Sequence, residues 1–277
     1  MALGKPDITA VKVFAVDMDG TFLDDNKEYD KPRFLRQLAT MRQRGMHFVA
    51  ASGNRLATLH RYLPEVKKEI GFVAENGAYV LDGEEELLIA GMSQEQLAQI
   101  FALLPQFPRI ITVACCRDEA FCLSSLSATT LSALHPYYIS PARITAFTEI
   151  KEPILKLAIW IPPQDRESLL ATLTLPAQRK NLRLVDSGNC FTDLLRNDVS
   201  KAAGLRHLLQ LWQVRDEEVA SFGDNSNDVE MLRMTPFSFA PVNARESAKR
   251  AAQNIIANNN EHTVQNMIDC ILRGESR

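Results

Sequence analysis

The run Asp17-Met18-Asp19-Gly20-Thr21 sets two carboxylates two positions apart, directly after the apolar stretch Val11 to Val16. Residues two apart in extended backbone point the same way, so both aspartates can face one pocket at the end of a strand. Asp and Gly are also ordinary turn residues and helix caps, yet four fixed residues in this order arise by chance in a chain this long only about a few times in a thousand. Ser52-Gly53-Asn54-Arg55 supplies a hydroxyl and free helix-start N–H groups, a combination that holds an anion; its plainer reading is a helix cap and a turn glycine. Lys201 follows Ser200 at a helix start, where the helix dipole disfavours a cation unless an anion balances it. Gly223-Asp224-Asn225-Ser226-Asn227-Asp228 is dense in hard oxygen donors of the kind that suits magnesium. The same stretch also reads as an Asx-rich turn capping the next helix. Val229 stands where an EF-hand loop needs glycine, which disfavours that motif.

These residues need strand ends and helix starts to hold them, and the hydrophobic periodicity provides both. Val11 to Val16, His47 to Ala51 and Gly71 to Ala74 read as strands, with helices over Arg33 to Arg44 and Asn54 to Leu63 between them. Alternation of this kind implies a parallel sheet covered by helices. Ser200 to Trp212 resumes it as an amphipathic helix, followed by a strand at Val219 to Phe222 and a short helix at Asp228 to Met234. Strand, helix, strand and helix then follow at Phe237 to Ala240, Ala244 to Ala252, Ile255 to Ala257 and Thr263 to Leu272. Between the two halves Asn76-Gly77 and Asp82-Gly83 mark a hairpin rather than a crossover. Beyond it the sequence predicts a capped helix from Ser93, strands near Arg109 to Ala114, Phe121 to Ser124 and Ile154 to Ile161, and a helix near Gln164 to Leu173. The expectation is a doubly wound α/β domain from residues 1–83 and 188–277, interrupted by an α+β insertion over 84–187.

Composition narrows the partners. The 277 residues carry 31 basic against 34 acidic side chains, a formal net charge of -3, without the basic excess that a nucleic-acid backbone demands. No apolar run approaches the ~18 residues of a membrane helix, and the first ten residues lack the pattern of a secretory signal. The five cysteines show no CxxC pairing, as expected of reduced thiols, so a cytoplasmic location is the expectation. His47, His60, His135, His207 and His262 are scattered without metal-ligand spacing and read as structural or surface groups.

Taken together and in order, DMDGT, SGN, the helix-start lysine and GDNSND resemble the haloacid dehalogenase (HAD) superfamily, specifically its Cof-type sugar phosphatases with a large inserted cap. Phe72 to Ala78 and Asp228 to Leu232 are also similar to that subfamily, and the likeness spans nearly the whole chain, weakest in the cap. Ser52 stands where many members carry threonine, and Ala202 where glycine is frequent; neither change removes a chemical group. The resemblance implies a HAD-like Rossmannoid core that hydrolyses small phosphorylated metabolites, sugar phosphates above all, through an aspartyl-phosphate. It implies Asp17 as nucleophile and Asp19 as general acid and base. Mg2+ would be held by Asp17, the backbone carbonyl of Asp19 and Asp224, with Asp228 in support. Ser52, Gly53, Lys201 and Asn227 would cradle the phosphate. A carboxylate attacking a phosphate dianion at ~4 Å faces about 4 kcal/mol of repulsion per pair of charges at an effective dielectric near 20. Metal, lysine and backbone N–H groups must offset that repulsion together.

A phosphomutase on the same core is the alternative, with Arg109, Arg117 or Arg143 binding a second phosphate; a non-catalytic phosphometabolite-binding protein is another. Lys156, Tyr137, Tyr138, His135 and Arg117 are candidate substrate contacts in the insertion. The expected protein is a monomer or small homo-oligomer that binds neither nucleic acid nor membrane.

Overall fold

Short β-prone segments, buried throughout in β1 (Val13–Val16), β3 (Gly71–Ala74), β12 (Val219–Phe222) and β13 (Phe237–Pro241), alternate with amphipathic helices, and this produces a sheet with apolar residues on both faces. The computed structural model describes residues 7–134, 141–188 and 190–275. In the first part of the chain these segments are β1 (Val13–Val16), α1 (Lys31–Gln43), β2 (His47–Ala51), α2 (Leu56–Tyr62), β3 (Gly71–Ala74), β4 (Tyr79–Asp82) and β5 (Glu85–Ile89). The middle contributes α3 (Gln94–Leu103), β6 (Ile111–Cys115), β7 (Ala120–Leu123), α4 (Ala128–Leu134), β8 (Ala142–Ile144), β9 (Lys156–Trp160), α5 (Arg166–Arg179), β10 (Leu182–Gly188) and β11 (Phe191–Arg196). The last part contributes α6 (Lys201–Trp212), β12 (Val219–Phe222), α7 (Val229–Arg233), β13 (Phe237–Pro241), α8 (Glu246–Ala251), β14 (Asn254–Ile256) and α9 (Thr263–Leu272).

The chain divides into two compact units, residues 1–88 with 200–277, and residues 89–199. The first holds an eight-stranded sheet in the order β14-β13-β12-β1-β2-β3-β4-β5. Its first six strands run parallel, and β4 returns antiparallel to β3. This is the doubly wound α/β architecture that the alternation predicts. The chain leaves β1 towards β2 on one side and comes back to β12 on the other, so a switch point lies between β1 and β12. In open α/β sheets that crevice at the carboxyl ends is where ligands bind. Val13, Ala15, Val49 and Val73 pack against Leu205, Leu208 and Leu209 of α6 on one face. Phe14, Phe22, Phe34 and Phe48 are buried, and Phe22, Phe34 and Phe48 meet edge to face with centroids 4.8–5.7 Å apart.

The second unit is a six-stranded sheet in the order β10-β11-β9-β6-β7-β8. One face packs against α3 and α5 through Leu97, Ile100, Leu169 and Leu173. Its limits differ from the expected 84–187 at both ends. The segment around Glu84 to Leu88 extends the first sheet as β5, whereas β10 and β11 pair with each other and with β9, which keeps residues 188–199 in the second unit. β10 and β11 lack clean alternation, and β10 ends in a register shift between Asp186 and Gly188, so periodicity alone does not mark them. The helix expected at Gln164 to Leu173 runs on to Arg179 with Pro176 inside it. α2 starts two residues later than expected because Ser52 to Arg55 form the turn that leads into it. Among the described residues no helix is long and apolar enough to cross a membrane, and the five cysteines are free thiols.

Candidate active site

Strand register gathers the sequence-predicted residues. Val16 pairs with Phe222, so Asp17 and Gly223 leave the sheet side by side and bring Asp224 close. Val16 also pairs with Ala50, and Ala51 with Val73, which places Ser52 and Glu75 at the same edge. After β1 the chain curls back at once, with Thr21, Phe22 and Leu23 all donating N–H to the Met18 carbonyl. Gly20 makes this curl possible. Its φ is +81°, and a Cβ there would stand 2.9 Å from Asp224 Oδ2.

Three carboxylates, those of Asp17, Asp224 and Asp228, have ligand atoms within 4.8 Å of one another. Lys201 lies among them, 1% exposed, with Nζ 2.5 Å from Asp17 Oδ1 and 2.6 Å from Asp228 Oδ1. Its position depends on close backbone packing. Gly77, at φ +99°, would put a Cβ only 2.1 Å from the Ser200 carbonyl, so glycine alone lets α6 begin against the turn after β3. The Ser200 hydroxyl caps that helix by accepting from the Ala203 N–H. The other Asp228 oxygen accepts N–H bonds from Asp224 and Asn225, each at 3.0 Å, so Asp228 shapes the loop as well as holding the lysine. Thr21 Oγ1 donates to Asp224 at 3.1 Å.

Counting all three carboxylates as ionised, three negative charges face one positive charge, leaving an excess of two in a buried space. The titration shifts follow from that. Burial, reinforced by Asp228 and Asp224 and opposed by Lys201, raises Asp17 well above the ordinary aspartate range. Burial and then the Asp228 charge push Asp224 up to about 6. Burial works against the Lys201 charge too, but Asp17 and Asp228 outweigh it and hold the ammonium above its ordinary value. An excess of buried negative charge carried by hard oxygen donors fits a divalent cation such as magnesium.

Asp19 stands apart from this cluster. Its carboxylate accepts from Lys27 Nζ at 2.6 Å and from Asn54 Nδ2. Ser52 is buried and its Oγ accepts the Asn54 N–H, while Asn227 donates to Asn76 Oδ1 at 2.9 Å. A Cβ on Gly53 would meet that same Asn76 oxygen at 3.1 Å. Ser52, Gly53, Asn76 and Asn227 thus form one polar patch. Glu75, Asn76 and Gly77 all adopt positive φ in succession, a strained run of the kind found at functional sites. Thr21 and Asn76 enter the sequence reading only as parts of motifs, without a site role, and Lys27 does not enter it. A lysine inside Asp24-Asp25-Asn26-Lys27-Glu28 reads as a solvated loop charge, and its contact with Asp19 exists only in the fold.

The other candidates have partners of their own. Arg109 forms a two-pronged pair with Asp165, and Arg143 donates to the Ser124 and Leu126 carbonyls. Arg117 lies 3.9 Å from Asp118, and Lys156 is buried against Asp193 at 3.3 Å. His47 stacks on Trp212 and His60 meets the Phe72 ring. His135, Tyr137 and Tyr138 lie outside the described residues.

Residues 14–268 match the family model of haloacid dehalogenase-like hydrolases. The chain is 34% identical to 5-amino-6-(5-phospho-D-ribitylamino)uracil phosphatase YbjI of Escherichia coli (strain K12), covering 96% of this chain and 98% of that one. It is 26% identical to phosphoglycolate phosphatase 1 of Saccharolobus solfataricus, over 96% and 97% of the two chains. The crystal structure of SMU.1108c from Streptococcus mutans UA159 superposes with a TM-score of 0.89 at 28% identity, over 95% of this chain and 99% of that one. With a clustered acidic site at the switch point of a doubly wound sheet and a family match over nearly its whole length, the chain belongs to the haloacid dehalogenase-like hydrolases.

Proposed function

We propose that the protein is a magnesium-dependent phosphatase of small phosphorylated metabolites, with sugar and sugar-alcohol phosphates as the preferred class. The observation that carries this reading is the buried group of Asp17, Asp224 and Asp228 around Lys201, with Asp19 two residues beyond Asp17. Support for the substrate class comes from the Escherichia coli relative, a phosphatase of a phosphorylated ribitylamino compound.

An Asp17 oxygen attacks phosphorus, the ester P–O bond breaks, and Asp19 gives its proton to the departing alkoxide. A water molecule then attacks the same phosphorus and loses its proton to Asp19. The bond to Asp17 breaks, returning the carboxylate and releasing phosphate. Lys201 spends two of its three N–H donors on Asp17 and Asp228, which fixes the nucleophile and leaves one donor for a phosphate oxygen. The Ser52 hydroxyl, the Gly53 N–H and the second amide N–H of Asn227 complete the phosphate cradle. Asp17, the Asp19 carbonyl and Asp224 would hold magnesium, with Asp228 beside them. Bound there, the ion supplies positive charge to the nucleophile and the phosphate.

A panel of sugar, sugar-alcohol and carboxylic-acid monophosphates tests the assignment, with inorganic phosphate measured with and without magnesium. Magnesium-dependent release from sugar-type esters is expected; isomerisation without net release would establish a mutase instead. The Asp224 shift gives a second expectation. Its folded-state value exceeds the ordinary 3.8, so without magnesium its contribution to stability is present below 3.8 and lost as pH rises through about 6. Magnesium competes with that same proton. Calorimetric titration should therefore show its affinity increasing as pH rises through about 6. A flat profile across that range counts against Asp224 as a ligand.

A further inference from the structure

Asp19 is gripped from two directions by residues that the phosphatase chemistry leaves unassigned. Lys27 Nζ meets Oδ1 at 2.6 Å, and the Asn54 amide, from the turn after β2, meets Oδ2. The Tyr62 hydroxyl lies near the same carboxylate: burial and then the Asp19 charge hold it above the ordinary tyrosine range. The Lys27 and Asp19 side chains are 50% and 35% exposed, and an ion pair that open contributes little to stability.

The loop that presents Lys27 is nevertheless elaborately held. Lys27 adopts φ +65°, a left-handed conformation that is uncommon for a residue with a Cβ. Its N–H is tied to the Asp24 carbonyl at 3.0 Å, and Asp24 Oδ1 accepts the Asn26 and Glu28 N–H groups, each at 2.8 Å. The loop is fastened in turn to the segment before α9. Asp25 exchanges hydrogen bonds with the Asn260 side chain at 2.9 and 3.1 Å, and Asn259 donates to the Leu23 carbonyl at 3.0 Å. Strain and tethers together bring one ammonium to one carboxylate.

We propose that Lys27 is a positioning residue for Asp19, holding its carboxylate in the orientation from which it protonates the leaving alkoxide. This rests on the role given to Asp19 under the phosphatase reading. Proton transfer tolerates little misalignment: a displacement of about 1 Å can cost ~100-fold in rate. Asp19 lies outside the buried cluster and depends on Lys27 and Asn54 for its aim.

Two esters separate positioning from general damage. An alkyl phosphate expels a basic alkoxide that needs the proton, whereas 4-nitrophenyl phosphate expels a stable phenolate that does not. Lys27→Met should lower kcat/KM for the alkyl ester by about 10- to 100-fold, and for the nitrophenyl ester by no more than about threefold. Lys27→Gly should do the same; at φ +65° glycine removes the side chain without backbone strain, which guards against a folding failure. Lys27→Arg should restore most of the loss. In an Asp19→Asn background, Lys27→Met should add less than about twofold on the nitrophenyl ester, because a residue acting through Asp19 has nothing left to position. Equal losses on both esters, or an undiminished loss in the Asp19→Asn background, would show direct phosphate binding or structural damage and overturn the inference. Absence of phosphate release by the unmodified protein on both esters is a distinct result, which removes the phosphatase reading and this inference together.

Discussion

Asp17→Asn is expected to lower phosphate release from any phosphoester by at least about four orders of magnitude, in line with removal of a catalytic nucleophile. The metal-free variant should unfold at the same temperature as the parent or higher. Both expectations follow from one site. The substitution keeps an oxygen for Lys201 to bond but removes the carboxylate proposed to attack phosphorus. It also removes one of three clustered carboxylates, two of which bond a single ammonium. Burial holds Asp17 above its ordinary range, so ionising it at neutral pH opposes folding, and the neutral amide relieves that opposition. Calorimetry without magnesium, paired with phosphate-release assays, reads the two effects separately. Turnover above about 1% of the parent would falsify the nucleophile assignment. A large drop in melting temperature would mean that Asp17 stabilises the fold.

Lys201→Met should have the opposite balance, losing stability as well as activity. Lys201 is the sole cation bonded to Asp17 and Asp228 among the described residues, and it is buried with them. Breaking a buried pair by removing one partner typically costs about 3–5 kcal/mol, because a charge is left without compensation. Here two carboxylates are left. The penalty, measured by denaturant unfolding at neutral pH, should shrink as pH falls and the carboxylates take up protons. If the proposed magnesium site is correct, the penalty should shrink also on adding magnesium, because the site exists only in the folded state. A loss below about 1 kcal/mol at neutral pH would mean that the cluster is already neutralised by protons.

These two variants test residues that the sequence could name but not connect. DMDGT, SGN and GDNSND were legible because each is a local signal, a strand end or helix start with unusual side chains at fixed spacing. The parallel sheet was legible from period and punctuation. Less of the inserted unit could be read: β8, α4, β10 and β11 carry no clear two- or four-residue rhythm. Strand pairing therefore sets the unit's limits, residues 89–199, several residues beyond those that the periodicity predicts.

The sequence by itself determined which side chains are available for phosphoryl chemistry and the order in which they lie along a doubly wound chain. Tertiary structure alone decided their partners. Lys201 meets Asp17 across 184 positions of sequence, Thr21 meets Asp224 across 203, and Asn227 meets Asn76 across 151. Strand register and the close approach permitted at Gly77 set those meetings, and neither is written in local periodicity. Burial did the rest: the same aspartates that read as turn residues become, once enclosed together, a negative site that calls for a cation.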